Sequence, residues 1–354
     1  MLFPVIAGAA LTLLVAGGVA HSTQPAQTIV PMPEPFDGSL SVLTYNIHGL
    51  PWPFATGRPE AFHRIAARLA TLHASGTAPQ IVVMQEAFTT AAEQIGRDAG
   101  YRYVVRGPDA RQHGGDAGGM TDTQFMARAR WNHGETEGPV LDSGLVILSD
   151  YPIVATDFVV YPRDGCAGYD CLANKGAVLA RVAIPGLATP VDIITTHLNC
   201  RERTGVSLTR ADAAYRRELA TLAAFVARAH DPRSALIVAG DFNVGSSAQR
   251  KAMIAGTIAT LHAQPALATV VADQPVTPSD ALLSWRKNKD LQLAISSPGA
   301  RLSVEAISTP FGHESDGSML SDHVGYVARY WIDSSIRDAR RQNGLKSGAP
   351  VANS

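Results

Sequence analysis

Cysteine, aromatic residues and charge are all sparse in this 354-residue chain. Three cysteines, Cys166, Cys171 and Cys200, are too few for a disulfide-dense scaffold. An oxidising compartment would permit one bridge and leave one thiol over, and spacing alone does not select the pair. Two His and two Cys at zinc-like spacing are missing, which disfavours a structural zinc site. Charged residues make up 17% and the formal net charge is −1, so the chain has no basic footprint for gripping a polyanion. Nucleic acid is therefore not the preferred partner, though it stays open as a substrate. Internal repeats and one-sign charge runs are also lacking, which sets aside solenoids and acidic or basic tails.

What is present is apolar: 46% of the residues are hydrophobic, enough for a sizeable core in one large domain or two. Residues 1–20 carry no charged side chain and are rich in Ala, Leu and Val. Gly18-Val19-Ala20 before His21 favours a cleaved signal peptide over a membrane anchor, although a basic leader end is missing. Residues 21–36 form a Pro-rich linker, 37–333 a catalytic domain and 334–354 a polar tail without periodicity. The expected location is secreted or periplasmic, with an N-terminal anchor as the alternative.

The stretch 234–244 is the centre of the pattern. Leu236 to Ala239 form a buried strand, Gly240 lets the backbone approach a neighbour closely, and Asp241 and Asn243 follow. Two polar groups at the end of a buried strand are costly to desolvate unless each finds a partner. Other strands end alike. Residues 40–46 finish in Asn46, residues 81–84 run into Gln85-Glu86, and residues 191–197 finish in His197 before Leu198-Asn199. Residues 143–148 and 175–182 read as further strands, and 290–295 alternates like a half-exposed one. Ser321-Asp322-His323 stands just before a closing strand at 324–331. Helices are expected where Phe62, Ile65, Leu69 and Leu72, and later Tyr215, Leu219, Leu222 and Val226, recur three or four apart. The Gly-rich stretch 107–140, with His113 and His133, reads as a long functional or mobile loop.

So many polar groups at strand ends point to one cleft. Glu86 and Asn46 are hard oxygen donors that suit magnesium, with manganese as a substitute, and no cysteine stands among them to attract a softer metal. His197 and Asn243 can donate to phosphoryl oxygens as charge builds there. Asp241 and His323 are candidates for activating water, with Asp290 or Asp322 backing the imidazole. Direct attack by water needs no Ser or Cys nucleophile. Breaking a phosphoester at useful rates asks the set for about 20 kcal/mol of barrier lowering, more than one residue supplies.

Tyr45-Asn46, Gln85-Glu86, Thr196-His197-Leu198-Asn199, Gly240-Asp241-Phe242-Asn243 and Ser321-Asp322-His323 together resemble the endonuclease/exonuclease/phosphatase superfamily across residues 40–331. The resemblance implies an α/β fold of two sheets in a four-layer sandwich, a divalent metal held by Asn46, Glu86 and Asp322, and phosphoester hydrolysis by His197, Asp241, Asn243, Asp290 and His323. Asn174-Lys175-Gly176-Ala177-Val178 is similar to the bacterial secreted sphingomyelinase branch, which implies substrate contacts from Lys175 and Asn199 and a bridge from Cys200 to Cys166 or Cys171. Asp290-Leu-Gln-Leu departs from the family's Asp-Tyr-Ile strand, and Glu218 stands where the branch often has Gln. The branch's aromatic membrane-binding hairpin has no obvious counterpart, with Trp52 and Phe54 the substitute candidates. The leading expectation is a magnesium-dependent phosphodiesterase acting on a phospholipid headgroup ester, with transient membrane-surface contact and no obligate protein partner. An extracellular nuclease, a phosphoinositide or sugar-phosphate phosphatase, and an inactive binding or toxin subunit are the alternatives. Intact Glu86, His197, Asp241 and His323 argue against the last.

Overall fold

A computed structural model describes residues 36–113, 122–273 and 279–334. The expected leader, nearly all of the linker and nearly all of the tail lie outside these residues. The strands are β1 (Ser39–Asn46), β2 (Ile81–Gln85), β3 (Tyr103–Arg106), β4 (Val146–Ser149), β5 (Ile153–Val160), β6 (Gly176–Val182), β7 (Val191–His197), β8 (Ala235–Asp241), β9 (Gln264–Pro265), β10 (Asp290–Ile295), β11 (Arg301–Phe311) and β12 (Gly325–Asp333). The helices are α1 (Arg58–Ala74), α2 (Thr90–Asp98), α3 (Thr123–Met126), α4 (Leu208–Ala229), α5 (Ala248–Thr260), α6 (Ala266–Asp273) and α7 (Ser279–Lys287). One six-stranded sheet runs β11-β12-β1-β2-β4-β3 and the other β5-β6-β7-β8-β10-β9. Each mixes parallel and antiparallel pairs, with β1 beside β2 and β7 beside β8 parallel.

Side-chain alternation along each strand decides which groups meet. Leu40 and Val42 of β1, Ile81 and Val83 of β2, Val191 and Ile193 of β7, and Ala235, Ile237 and Ala239 of β8 share one apolar cluster between the sheets. The opposite parity faces the helices. Leu43, Tyr45, Val82 and Met84 pack with Phe62, Ile65 and Leu69 of α1, while Leu236 and Val238 pack with Tyr215, Leu219, Leu222 and Val226 of α4. Helix, sheet, sheet and helix thus form four layers, the α/β sandwich that the sequence resemblance implies. Following the inward parity to the strand ends gives Asn46, Gln85, Thr195, His197 and Asp241. Apolar filling therefore yields to polar groups at one end of the sandwich.

Polar groups also tie the two sheets across their interface. Gln85 Nε2 donates to Thr195 Oγ1 at 3.1 Å, and Gln292 Nε2 donates to the Val42 carbonyl at 3.0 Å while its Oε1 accepts from Tyr330. The strand at 290–295 differs from expectation. It lies between β8 and β9, and Leu291, Leu293 and Ile295 pack into the helix-side cluster, with only Leu291 and Ile295 left partly exposed. The stretch 107–140 is not a bare loop, because α3 and a 3₁₀ turn at Trp131–His133 fall inside it. His133 stacks on Tyr169 with ring centroids 5.4 Å apart.

The cysteine expectation is corrected. Cys166 bridges Cys171 across a short 3₁₀ turn, and Cys200 is free. Cys200 follows Asn199 into a loop whose main chain is held elsewhere: its amide donates to Asp170 and its carbonyl accepts from Asn199 Nδ2.

At the other end of the first sheet, His73 joins α1 to the sheet's base. Its Nδ1 lies 2.8 Å from the Ala99 carbonyl and its Nε2 3.1 Å from Asp150 Oδ1. Two acceptors ask for two N–H groups, and the hydrogen bond to Asp150 raises the imidazole above its ordinary value despite partial burial. A raised folded-state value adds stability that is fully present below the unfolded value of 6.5 and lost as pH climbs through the raised one. Denaturant titrations from about pH 5.5 to about pH 9.5 should show this decline in the parent protein. His73→Gln should make it shallower and lower acid-side stability by roughly 1 kcal/mol.

Candidate active site at the strand ends

Asp241 closes β8 directly opposite Asp290 on β10 and His197 on β7. Register thus brings two acids and an imidazole together before any loop contributes. Gly240 makes this possible: a Cβ there would stand 2.1 Å from the Thr196 carbonyl oxygen, so only glycine lets the strands run so close. Asp241 Oδ1 accepts from the Asn243 amide at 2.9 Å. Its Oδ2 accepts from Asn46 Nδ2 at 3.1 Å and lies 3.6 Å from His197 Nε2 and 3.7 Å from His323 Nε2.

Asn46 delivers the first sheet's side of the site. Its Nδ2 also donates to Glu86 Oε1 at 2.8 Å, and its Oδ1 accepts from the His48 amide. Glu86 follows β2 at a left-handed φ of 59°, a turn that swings its carboxylate toward Asn46. Gly49 packs behind it, where a Cβ would come 2.0 Å from the Glu86 carbonyl oxygen. Ser321 Oγ donates to the Asn46 carbonyl at 2.6 Å, fixing the loop that presents His323.

Electrostatics divides the two histidines. Burial, with Lys175 as a nearby cation, pushes His197 down to about 3, so it stays neutral. Burial also opposes a charge on His323, but Asp290 and Asp241 outweigh it and raise that imidazole to about 10. Asp290 holds His323 Nδ1 through both oxygens, at 2.8 and 3.0 Å. Burial lifts the carboxyls of Glu86 and Asp290. For Asp241 burial pulls the same way, yet the charge on His323, with Lys289 nearby, holds it below the usual range.

Other predicted residues sit further back. Lys175 is buried, with Nζ donating to Asp170 Oδ2 at 3.0 Å and to the Leu198 carbonyl at 3.1 Å, behind His197. Asn199 is fully buried and accepts from the Ala167 amide, which ties the loop to the disulfide turn. Asn243 Nδ2 donates to the Leu198 carbonyl. Asp322 stands on the rim and meets the Glu86 side only through His48, whose Nδ1 lies 3.3 Å from Asp322 and 3.9 Å from Glu86. Burial works against the Asp322 carboxylate, but His48, His323 and Arg203 depress its carboxyl well below the usual range. Sequence reasoning passed over His48. The available signal was its place two residues beyond Asn46, on the same side of the departing chain. Arg203, 3.5 Å from Asp322 across the mouth, offered none.

Among the described residues, Asp241, Asp290 and His323 present ligand atoms within 4.8 Å of one another. Glu86 Oε2 is buried without a hydrogen-bond partner beside them. Three crowded carboxylates, one with an orphaned oxygen, fit a hard divalent cation better than they fit bare burial. A four-layer sandwich with such a cluster at its strand ends defines a phosphoesterase. The chain belongs to the Endonuclease/Exonuclease/phosphatase family, whose sequence profile matches residues 43–258. No curated protein sequence matches it. Among solved structures, sphingomyelinase C from Streptomyces griseocarneus is 23% identical at a TM-score of 0.54, covering 82% of this chain and 99% of that one. A Staphylococcus aureus beta toxin mutant with bound magnesium ions is 16% identical at 0.55, covering 82% and 99%. D. rerio TDP2 with a single-strand DNA product is 13% identical at 0.53, covering 83% and 99%. At these identities the likeness is one of fold.

Asp241→Asn tests the electrostatic account directly. Removing that charge should lower the His323 value from about 10, read by NMR titration of the imidazole, while the fold is retained.

Proposed function

We propose that the protein is a magnesium-dependent phosphodiesterase of sphingomyelinase (phospholipase C) type, which releases the phospho-headgroup of a phospholipid by direct attack of water. The observation that carries this is the convergence of Asn46, His197 and His323 on one oxygen of Asp241, beside the buried carboxylates of Glu86 and Asp290. Magnesium held by Glu86, with Asn46 and Asp241 adjoining, would supply a Lewis acid for the phosphoryl group and offset the crowded negative charge. Manganese fits the same oxygen donors. Ionised Asp241, with Oδ2 turned into the site, orients the attacking water and takes its proton, and charged His323, held by Asp290, stands within reach to hand a proton to the leaving lipid oxygen. Neutral His197 donates its Nε2–H toward the developing charge on phosphorus. Lys175 holds the Leu198 carbonyl and so keeps the His197 loop in place from behind.

The lipid assignment is supported by the fold shared with sphingomyelinase C, by the near-zero net charge and by two exposed aromatic side chains. Trp52 and Phe54 are 81% and 74% exposed on a Pro-framed turn just beyond His48. Aromatic side chains standing in solvent, four and six residues along the chain from His48, suit the water–lipid boundary. An exported protein would meet such a surface, in keeping with the leader expected at residues 1–20.

Substrate choice is the first check. Sphingomyelin and phosphatidylcholine vesicles, DNA and inositol phosphates, each with magnesium or chelator, should give phosphocholine release with magnesium alone. Cleavage of DNA but not lipid would replace the lipid assignment with a nuclease. His323→Ala should cut the rate by about 10³-fold or more with the fold intact, whereas unchanged binding and activity would point to a non-catalytic subunit. Trp52→Ser with Phe54→Ser should lower activity on vesicles while leaving hydrolysis of soluble bis(p-nitrophenyl) phosphate within about twofold.

A further inference from the structure

Strand ends pose a general difficulty: once a chain leaves the ladder, its carbonyls lose their partners, and the loop is only as fixed as whatever replaces them. In this protein two guanidinium groups, one for each sheet, supply several of the replacements. We infer that Arg58 and Arg250 are positioning residues that clamp the catalytic loops in pairs by their main-chain carbonyls.

Arg250 lies in the first turn of α5 and is fully buried. Its Nη1 donates to the Asn199 carbonyl at 2.7 Å and to the Asn243 carbonyl at 2.8 Å, and its Nη2 to the Cys200 carbonyl at 3.3 Å. Asn199 is two residues beyond His197 and Asn243 two beyond Asp241, so one side chain ties the exits of β7 and β8 together. Asp212 of α4 accepts from Nε at 2.7 Å and balances the charge. The Tyr215 ring, 4.1 Å from the guanidinium carbon, supports its face. Three carbonyls in divergent directions need the planar fork of an arginine; an ammonium could not reach them at once.

Arg58 opens α1 and does the same for the first sheet. Its Nη2 donates to the Ile47 carbonyl at 2.6 Å and to the Leu320 carbonyl at 2.8 Å. Ile47 follows Asn46, and Leu320 opens the Ser321-Asp322-His323 loop. Among the hydrogen bonds and ion pairs of the described residues, neither guanidinium contacts Glu86, His197 or His323, so both act through the loops. This inference rests on the proposed phosphodiesterase reading for its kinetic consequence but not for its structural one.

Arg250→Lys and Arg58→Lys keep the charge and remove the fork. Hydrogen exchange followed by mass spectrometry should speed up about tenfold or more in residues 198–206 and 242–247 for the first variant, and in 47–51 and 318–323 for the second. Each variant should leave the other pair and the core of β7 and β8 unchanged. With magnesium and bis(p-nitrophenyl) phosphate, kcat should fall about 10- to 100-fold while KM stays within about twofold. Unaltered exchange in the clamped loops, or a uniform rise across the core, would overturn the inference and leave the arginines as ordinary stabilising groups. Arg58 is only partly buried, so its variant decides between these outcomes if Arg250→Lys fails to fold. If the parent protein hydrolyses no phosphodiester, the functional reading fails while the exchange pattern still judges the clamps.

Discussion

A single carboxylate oxygen, Oδ2 of Asp241, is where the two sheets agree. It accepts from Asn46 of the first sheet and faces the Nε2 atoms of His197 and His323, which arrive from β7 and from the loop before β12. A buried anion survives only if donors and opposite charge surround it. Here they come from three separate stretches of chain, so strand register, loop length and sheet spacing must all be satisfied together. Glu86 and Asp290 add two more acids, against which His323 carries the principal positive charge and His197 is kept neutral. The result is a locus of negative potential at the end of the sandwich, bounded by low-dielectric packing, which attracts hard cations.

Behind that locus the sandwich changes character in steps. Gln85 and Thr195 bridge the sheets one layer below the site, and Gln292 bridges them again through Val42 and Tyr330. Beyond these the filling is aliphatic. Directional hydrogen bonds fix how the sheets align, which undirected apolar contact does less strictly. A slip of one residue in β8 would turn Asp241 toward the helices and bring a neighbour of opposite parity inward. The cross-sheet amides resist such a slip, and the catalytic register is defended from within the core.

Much of this was legible in the sequence because period-two alternation and polar termini are local signals. Asn46, Glu86, His197, Asp241 and His323 each stand beside an apolar run, and the structure gathers all five. Asp290, whose surrounding stretch departs from the family pattern, nonetheless holds His323 through both oxygens. What the sequence hid was long-range, short or irregular. All four edge strands escaped the sequence reading: β3 and β9 have only four and two residues, and the longer β5 and β11 are broken by register shifts that spoil their alternation. Lys175 and Asn199 lie close to His197, yet burial turned their donors onto neighbouring backbone. The bridge between Cys166 and Cys171 was one of several pairings that counting allowed. Arg58 and Arg250 look like any helix arginine until the loops they hold are folded around them.

The order in which the parts are made follows from the sheet topology. β1, which opens the fold and carries Asn46, has as its lateral neighbour β12, which comes near the end of the described chain. Asp290 and His323 also belong to this last portion. During synthesis the first sheet must therefore wait with one flank of its central strand uncovered, while the second sheet can pair β5 through β8 in sequence. The cluster around Asp241 is therefore complete only once the loop before β12 has arrived and that strand has entered between β11 and β1. A chain ending before residue 323 would leave Asp241 facing Asn46 and His197 without the imidazolium that offsets its buried charge.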